Sequence, residues 1–141
     1  MSRINHWILK TEPEEYSYAD LEREKTTVWS GVSNNTALIH IRSMQVGDQA
    51  LIYHTGKERQ VVGIAEICSE PYADPQQDNE KLVVVKVKPV RLLAKPVHLA
   101  TIKADPVFSD SPLVRQGRLS VVPLSDSQWQ HLLSLAETQE S

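Results

Sequence analysis

Apolar positions recur along this chain in two rhythms. Short apolar runs and alternations occupy residues 6–10, 49–54, 60–69, 82–95 and 118–124, and these predict strands. Helical spacing appears in three places. Ser17 with Asp20 forms a capping pattern that predicts a helix over 17–25. Asn34 can cap a helix over 35–43, whose Ala37, Leu38, Ile41 and Met44 share one face. Ser125 with Gln128 opens a terminal helix over 126–136 with Trp129, Leu132, Leu133 and Ala136 on its apolar side. A single helical turn fits 98–103, residues 105–117 read as irregular, and 137–141 read as frayed.

Punctuation between these segments is clear. Pro13 stops the first strand, Val46-Gly47-Asp48 and Thr55-Gly56-Lys57-Glu58 are turns, and 71–79 is a loop. Pro89 inside a strand predicts an edge position or a bulge. Five strands or slightly more at this spacing suggest a small, strongly curved sheet or barrel. With 141 residues, no repeat and no linker, one domain spanning 1–141 is expected.

Composition narrows the function classes. The chain is 40% hydrophobic and 23% charged, as soluble globular proteins are. No apolar run reaches membrane-spanning length, and the first six residues lack a secretory apolar region. Cys68 is the only cysteine, which suits a reducing cytoplasm; the expected setting is a bacterial cytoplasm. A net charge of −3 argues against affinity driven by many phosphates, though not against reading one base in a pocket.

The chemistry centres on residues 27–34, Thr-Val-Trp-Ser-Gly-Val-Ser-Asn. Trp29 offers a π-face, Gly31 allows close backbone approach, and Asn34 carries an amide. These are parts for holding a flat, polar-edged molecule. They also fit a core tryptophan, a turn glycine and a helix cap, so two readings stand. Lys10-Thr11-Glu12 and Tyr53-His54 each close a strand, where side chains reach the rim of a sheet. None of the five histidines has a His or Cys partner at zinc-ligand spacing, and no phosphate-cradling glycine motif occurs. A Ser–His–Asp set can be drawn from Ser33 or Ser120, His54 and Asp48, but such trios arise by chance and no nucleophile elbow supports it. The exposed charges Lys57, Arg59, Lys86, Lys88, Arg115 and Arg118 read as solubility charge.

Ordered along the chain, several short pieces resemble the EVE domain family. They are Trp7-x-Leu9-Lys10-Thr11-Glu12-Pro13-x-x-Tyr16-Ser17, Trp29-x-Gly31-Val32-x-Asn34, Val46-Gly47-Asp48, Tyr53-His54, Val62-Gly63-Ile64-Ala65, Tyr72-x-Asp74-Pro75 and 118–124. The resemblance implies an α+β, PUA-like curved β-barrel of five to six strands with short flanking helices. It implies a reader of modified bases, particularly 5-substituted cytosine, in DNA or RNA. The implied pocket is lined by Lys10, Thr11, Trp29, Gly31, Val32, Asn34, Tyr53 and Ser120, with His54 nearby, and needs no cofactor or metal. Trp29 is then a pocket wall with few apolar flanks rather than a core residue. The base would arrive single-stranded or flipped out, and the protein is taken as a monomer. The family often carries Arg-Asn-Tyr after Trp-x-Gly-Val; Ser33-Asn34-Asn35 here removes a bidentate arginine contact and an aromatic. Two other classes remain: an enzyme on a nucleobase or small heterocycle with His54 or Glu12 as acid/base, and a protein-interaction module with a vestigial pocket.

Overall fold

The computed structural model describes residues 4–138. Its centre is β1 (His6–Thr11), whose first four residues are buried. β1 pairs in parallel with β3 (Gln49–His54), bringing Lys10 beside Tyr53 and Thr11 beside His54. On its other side β1 runs antiparallel to β7 (Val121–Leu124). β4 (Gln60–Ile67) returns from β3 across the Gly56 turn and pairs with β6 (Val83–His98). β2 (Thr27–Trp29) closes the far edge against β6, and β5 (Tyr72–Ala73) adds a short pairing there. The order β2-β6-β4-β3-β1-β7 makes a mixed sheet that curls into a half-barrel, a PUA-like α+β fold.

Helices cover the apolar faces. α1 (Tyr18–Glu24) begins with a two-way Ser17–Asp20 capping box and ends at Lys25, whose φ of 68° is left-handed. α2 (Asn35–Arg42) is capped by Asn34, whose side-chain oxygen accepts from the Ala37 amide at 3.1 Å. Each such cap stabilises by about 1 kcal/mol. α3 (Leu99–Lys103) follows β6 directly. α5 (Asp126–Leu135) starts with the Ser125–Gln128 capping box and buries Trp129, which stacks on His6 with ring centroids 4.3 Å apart.

Asp48 pins the turn before β3. It is 2% exposed and accepts three N–H groups: Asn5 and Gln45 from the backbone, each at 3.0 Å, and Trp7 Nε1 at 3.1 Å. The Val46-Gly47-Asp48 turn thereby fixes the entry of β1.

Several expectations need correction. Among the described residues the sheet has seven strands, two more than the apolar runs show, because β2 and β5 are too short to carry a period. β6 extends to His98, beyond the expected residue 95, and β7 starts at Val121, later than 118. Pro89 is at the expected bulge: opposite it the β4–β6 register shifts between Ile64 and Ala65, and on the other side the β2 pairing reaches only Val87, so its missing N–H is tolerated. Residues 105–117 hold a 3₁₀ turn (Pro106–Phe108) capped by Asp105 and α4 (Pro112–Arg115) capped by Ser111. Of the frayed tail, Thr138 is buried and its hydroxyl accepts from the Ala94 amide at 2.8 Å. Residues 139–141 lie outside the described residues.

Candidate functional site

A cleft of about 450 Å³ opens where β1 ends, between the loop after β2 and the segment before β7. That volume is within the range of small-ligand sites. Lys10, Thr11, Trp29, Gly31, Val32 and Ser120 all line it. Topology explains the meeting. β1 carries Lys10 and Thr11 to the rim, and the Lys10 amide bonds the Ser120 carbonyl at 2.9 Å. β2 delivers Trp29 and then the exposed Ser30-Gly31 turn, where Gly31 has φ +81°.

Trp29 satisfies both readings of its stretch. It is 7% exposed and belongs to the core cluster, yet it also lines the cleft. The expectation of a tryptophan outside the core is therefore corrected. Flanking residues did not reveal its packing, because Tyr16 supplies it from another element, edge-on at 6.1 Å and 85°.

Lys10 is held rather than free. Its ammonium donates to the Gly117 carbonyl at 3.0 Å and lies 5.5 Å from the centre of the Tyr53 ring. Burial pulls its pKa below the ordinary lysine value. Ammonium has three donors, so two remain for a ligand. Tyr53 thus sits beneath the lysine and does not line the cleft. Burial also pushes its phenol up, with Arg59 acting in the opposite sense.

Asn34 and His54 lie outside the cleft lining. Asn34 spends its oxygen on the α2 cap. His54 Nε2 accepts from the Tyr18 amide at 3.0 Å, so Nδ1 carries the proton and donates to Glu58 at 2.9 Å. Both ring nitrogens hold structure. The Glu12 carboxylate leans on the hairpin, where Thr55 Oγ1 donates to it at 3.3 Å and a β-carbon on Gly56 would meet it at 2.9 Å. The two residues considered as acid/base are thus both engaged with the 55–58 turn. Among the described residues no group of three or more His, Cys, Asp or Glu is arranged to hold a metal.

Sequence reasoning missed Tyr16, Glu15, Glu24, Thr27, Val28 and Ser30, which together with Glu12 complete the lining. The available signal was Pro13. The turn after it folds Tyr16 back, with the Tyr16 amide on the Glu12 carbonyl at 2.8 Å and Thr11 Oγ1 donating to the Tyr16 carbonyl at 2.7 Å. The Tyr16 hydroxyl donates to Glu24 at 2.7 Å, and burial is the largest cause of a phenol pKa raised to about 12. Ionisable lining groups are one lysine, one tyrosine and three glutamates, Glu12, Glu15 and Glu24. Such a wall disfavours phosphate and suits a neutral heterocycle.

Comparison with known proteins agrees with this architecture. The EVE domain family model matches residues 5–135. Human thymocyte nuclear protein 1 is 31% identical over 97% of this chain and 76% of its own length. A solved structure of a Rhodopseudomonas palustris protein superposes with a TM-score of 0.91 at 34% identity, covering 98% of this chain and 97% of that one. The structure of human thymocyte nuclear protein 1 in complex with 5-methylcytosine-containing DNA superposes with a TM-score of 0.86 at 30% identity, covering 96% and 99%.

Proposed function

Because the chain belongs to the EVE domain family, we propose that it is a non-catalytic reader that takes a 5-substituted cytosine of DNA or RNA into the cleft beside Trp29. The observation that carries this is the convergence of an aromatic wall and neutral polar groups on one cleft. Its likeness to a protein solved with 5-methylcytosine DNA names the ligand class. The base enters flipped out or from a single strand, since a paired base keeps its polar edge in the duplex.

Residue types assign the contacts. Trp29, Tyr16 and Val32 enclose the ring and its 5-substituent. The Lys10 ammonium and Ser120 hydroxyl meet the polar edge, together with backbone groups of the Ser30–Gly31 turn. Glu12 and His54, tied to the hairpin, take no chemical step. The protein works in the cytoplasm as a monomer.

Fluorescence anisotropy with labelled oligonucleotides tests the reading. Single strands carrying one 5-methylcytosine should bind at least about tenfold more tightly than unmodified ones, and more tightly than the same base in a duplex, where unstacking costs a few kcal/mol. Equal affinity for modified and unmodified strands would exclude it.

A further inference from the structure

Behind the turn that borders the cleft lies a second groove of about 360 Å³. Its far wall is β5 and the loop after it, with Tyr72, Asp74, Gln76 and Gln77. Its near wall is Val28, Ser30 and Gly31, and these three residues also line the cleft. Only one backbone segment separates the two spaces. At its crest Gly31 has no side chain, and a β-carbon built there meets nothing within 4 Å. The passage from cleft to groove over Gly31 is therefore open.

The chemistry of the groove differs from that of a phosphate site. No lysine or arginine lines it. Tyr72 is half-buried, and no described residue bonds its hydroxyl, so its ring is a fixed apolar surface with a free polar tip. Val28, 40% exposed, faces the same space. Asp74 is 7% exposed and accepts from the Gln76 amide at 2.9 Å through Oδ1; Oδ2 has no partner among the described residues. The Gln76 and Gln77 side chains are exposed with no described partner. An aromatic surface, an apolar side wall, a carboxylate acceptor and two free amides form a set for a second flat, polar-edged ring.

We infer that this groove holds the nucleotide adjacent to the base in the cleft, with the sugar–phosphate link crossing over Gly31 and the neighbouring base resting on Tyr72. The inference rests on the cleft being a base site. A carboxylate offers only acceptors, so a neighbour with an exocyclic amino group (cytosine, adenine or guanine) is preferred over thymine or uracil. The protein then reads a modified base together with its sequence context.

The test uses the full chain and fluorescein-labelled single-stranded pentanucleotides with a central 5-methylcytosine. One arm replaces the 5′ neighbour by an abasic site and another replaces the 3′ neighbour. Loss of one of the two neighbouring bases should weaken binding about tenfold, the scale of one base–aromatic stack. Tyr72→Ala should weaken the parent oligonucleotide equally and should add nothing to the abasic one. A folded Tyr72→Ala protein, checked by its melting curve, makes the cycle interpretable; the ligand arms stand without it. Asp74→Asn should level the preference for amino-bearing neighbours. If both abasic strands bind like the parent while modified cytosine is still discriminated, the groove is idle and the inference is overturned with the cleft reading intact. If modified cytosine is not discriminated by any strand, both fail together.

Discussion

The ring of Tyr18 crosses Gly63 so closely that a β-carbon at Gly63 would stand 2.5 Å from Tyr18 Cε2. The contact joins α1 to the middle of β4. It is fixed at both ends: the Tyr18 hydroxyl donates to the Ile64 carbonyl at 2.7 Å, and its amide donates to His54. Burial pushes the phenol up to about 12. Gly63→Ala should destabilise by ~1–3 kcal/mol, the usual cost of overpacking. Tyr18→Phe should cost about 1 kcal/mol for one buried hydrogen bond. Urea unfolding measures both, and an unchanged Gly63→Ala midpoint would mean the ring moves aside freely.

Asp48 makes a second prediction. Removing its carboxylate strands the buried Trp7 Nε1 donor and takes the acceptor from the part-buried Asn5 and Gln45 amides. Asp48→Ala should cost ~1–3 kcal/mol, the cost of leaving the one buried indole donor unsatisfied. Asp48→Asn keeps one oxygen acceptor and should be milder. Equal unfolding midpoints for wild type and alanine variant would contradict the assigned role.

Acid sensitivity follows from the hairpin. The His54 hydrogen bond is the first cause holding Glu58 below the usual carboxylate value. A lowered folded pKa gives stability that is complete above the unfolded value, near 4.3, and that disappears as pH falls through the folded one. Glu58→Gln should therefore melt below wild type at pH 7, and the gap should close in acid beneath about pH 4. A gap that widens in acid would reverse the sign and defeat the assignment.

Trp29 serves fold and cleft together, which decides how it must be probed. Trp29→Ala should lose ~3–5 kcal/mol as a core truncation, so lost binding in that variant says little. Trp29→Phe keeps an aromatic against Tyr16 and should stay folded while weakening the modified oligonucleotide severalfold. Full affinity in a folded Trp29→Phe protein would remove the indole from the contact.

Charge in the cleft sets the salt response. One lysine faces three glutamates there. The slope of log affinity against log salt should be shallow, about one to three ions at roughly 0.7–0.9 per phosphate. Titration at several salt concentrations measures it, and a steep slope would indicate a backbone binder.

Local features were legible in the chain. The Ser17–Asp20 and Ser125–Gln128 capping boxes need only four residues to declare themselves, and both helices start where those signals stand. Long strands showed their apolar runs. Thr27–Trp29 and Tyr72–Ala73 did not, since two or three residues carry no period. Asp105-Pro106 and Ser111-Pro112 are cap-and-proline signals, each too brief to stand out within an otherwise irregular stretch. At the candidate site, strand ends placed Lys10 and Thr11 correctly at a rim. Tyr53 and His54 end the neighbouring strand but turn to other partners, and which way a strand-end side chain turns depends on tertiary neighbours. Asn34 could cap a helix or face a ligand, and the nearby Ala37 amide took it.

The placement of β1 has a consequence for synthesis. β1 lies between β3 and β7, so one of its two partners is translated more than a hundred residues after it. Until Val121–Leu124 emerge, β1 offers an open edge, the kind that invites pairing with other chains. Contacts of such sequence separation also form slowly. The cleft is subject to the same order, because Ser120 and Gly117, which hold Lys10 in place, belong to that late segment. A chain truncated before them has most of its sheet and no complete cleft.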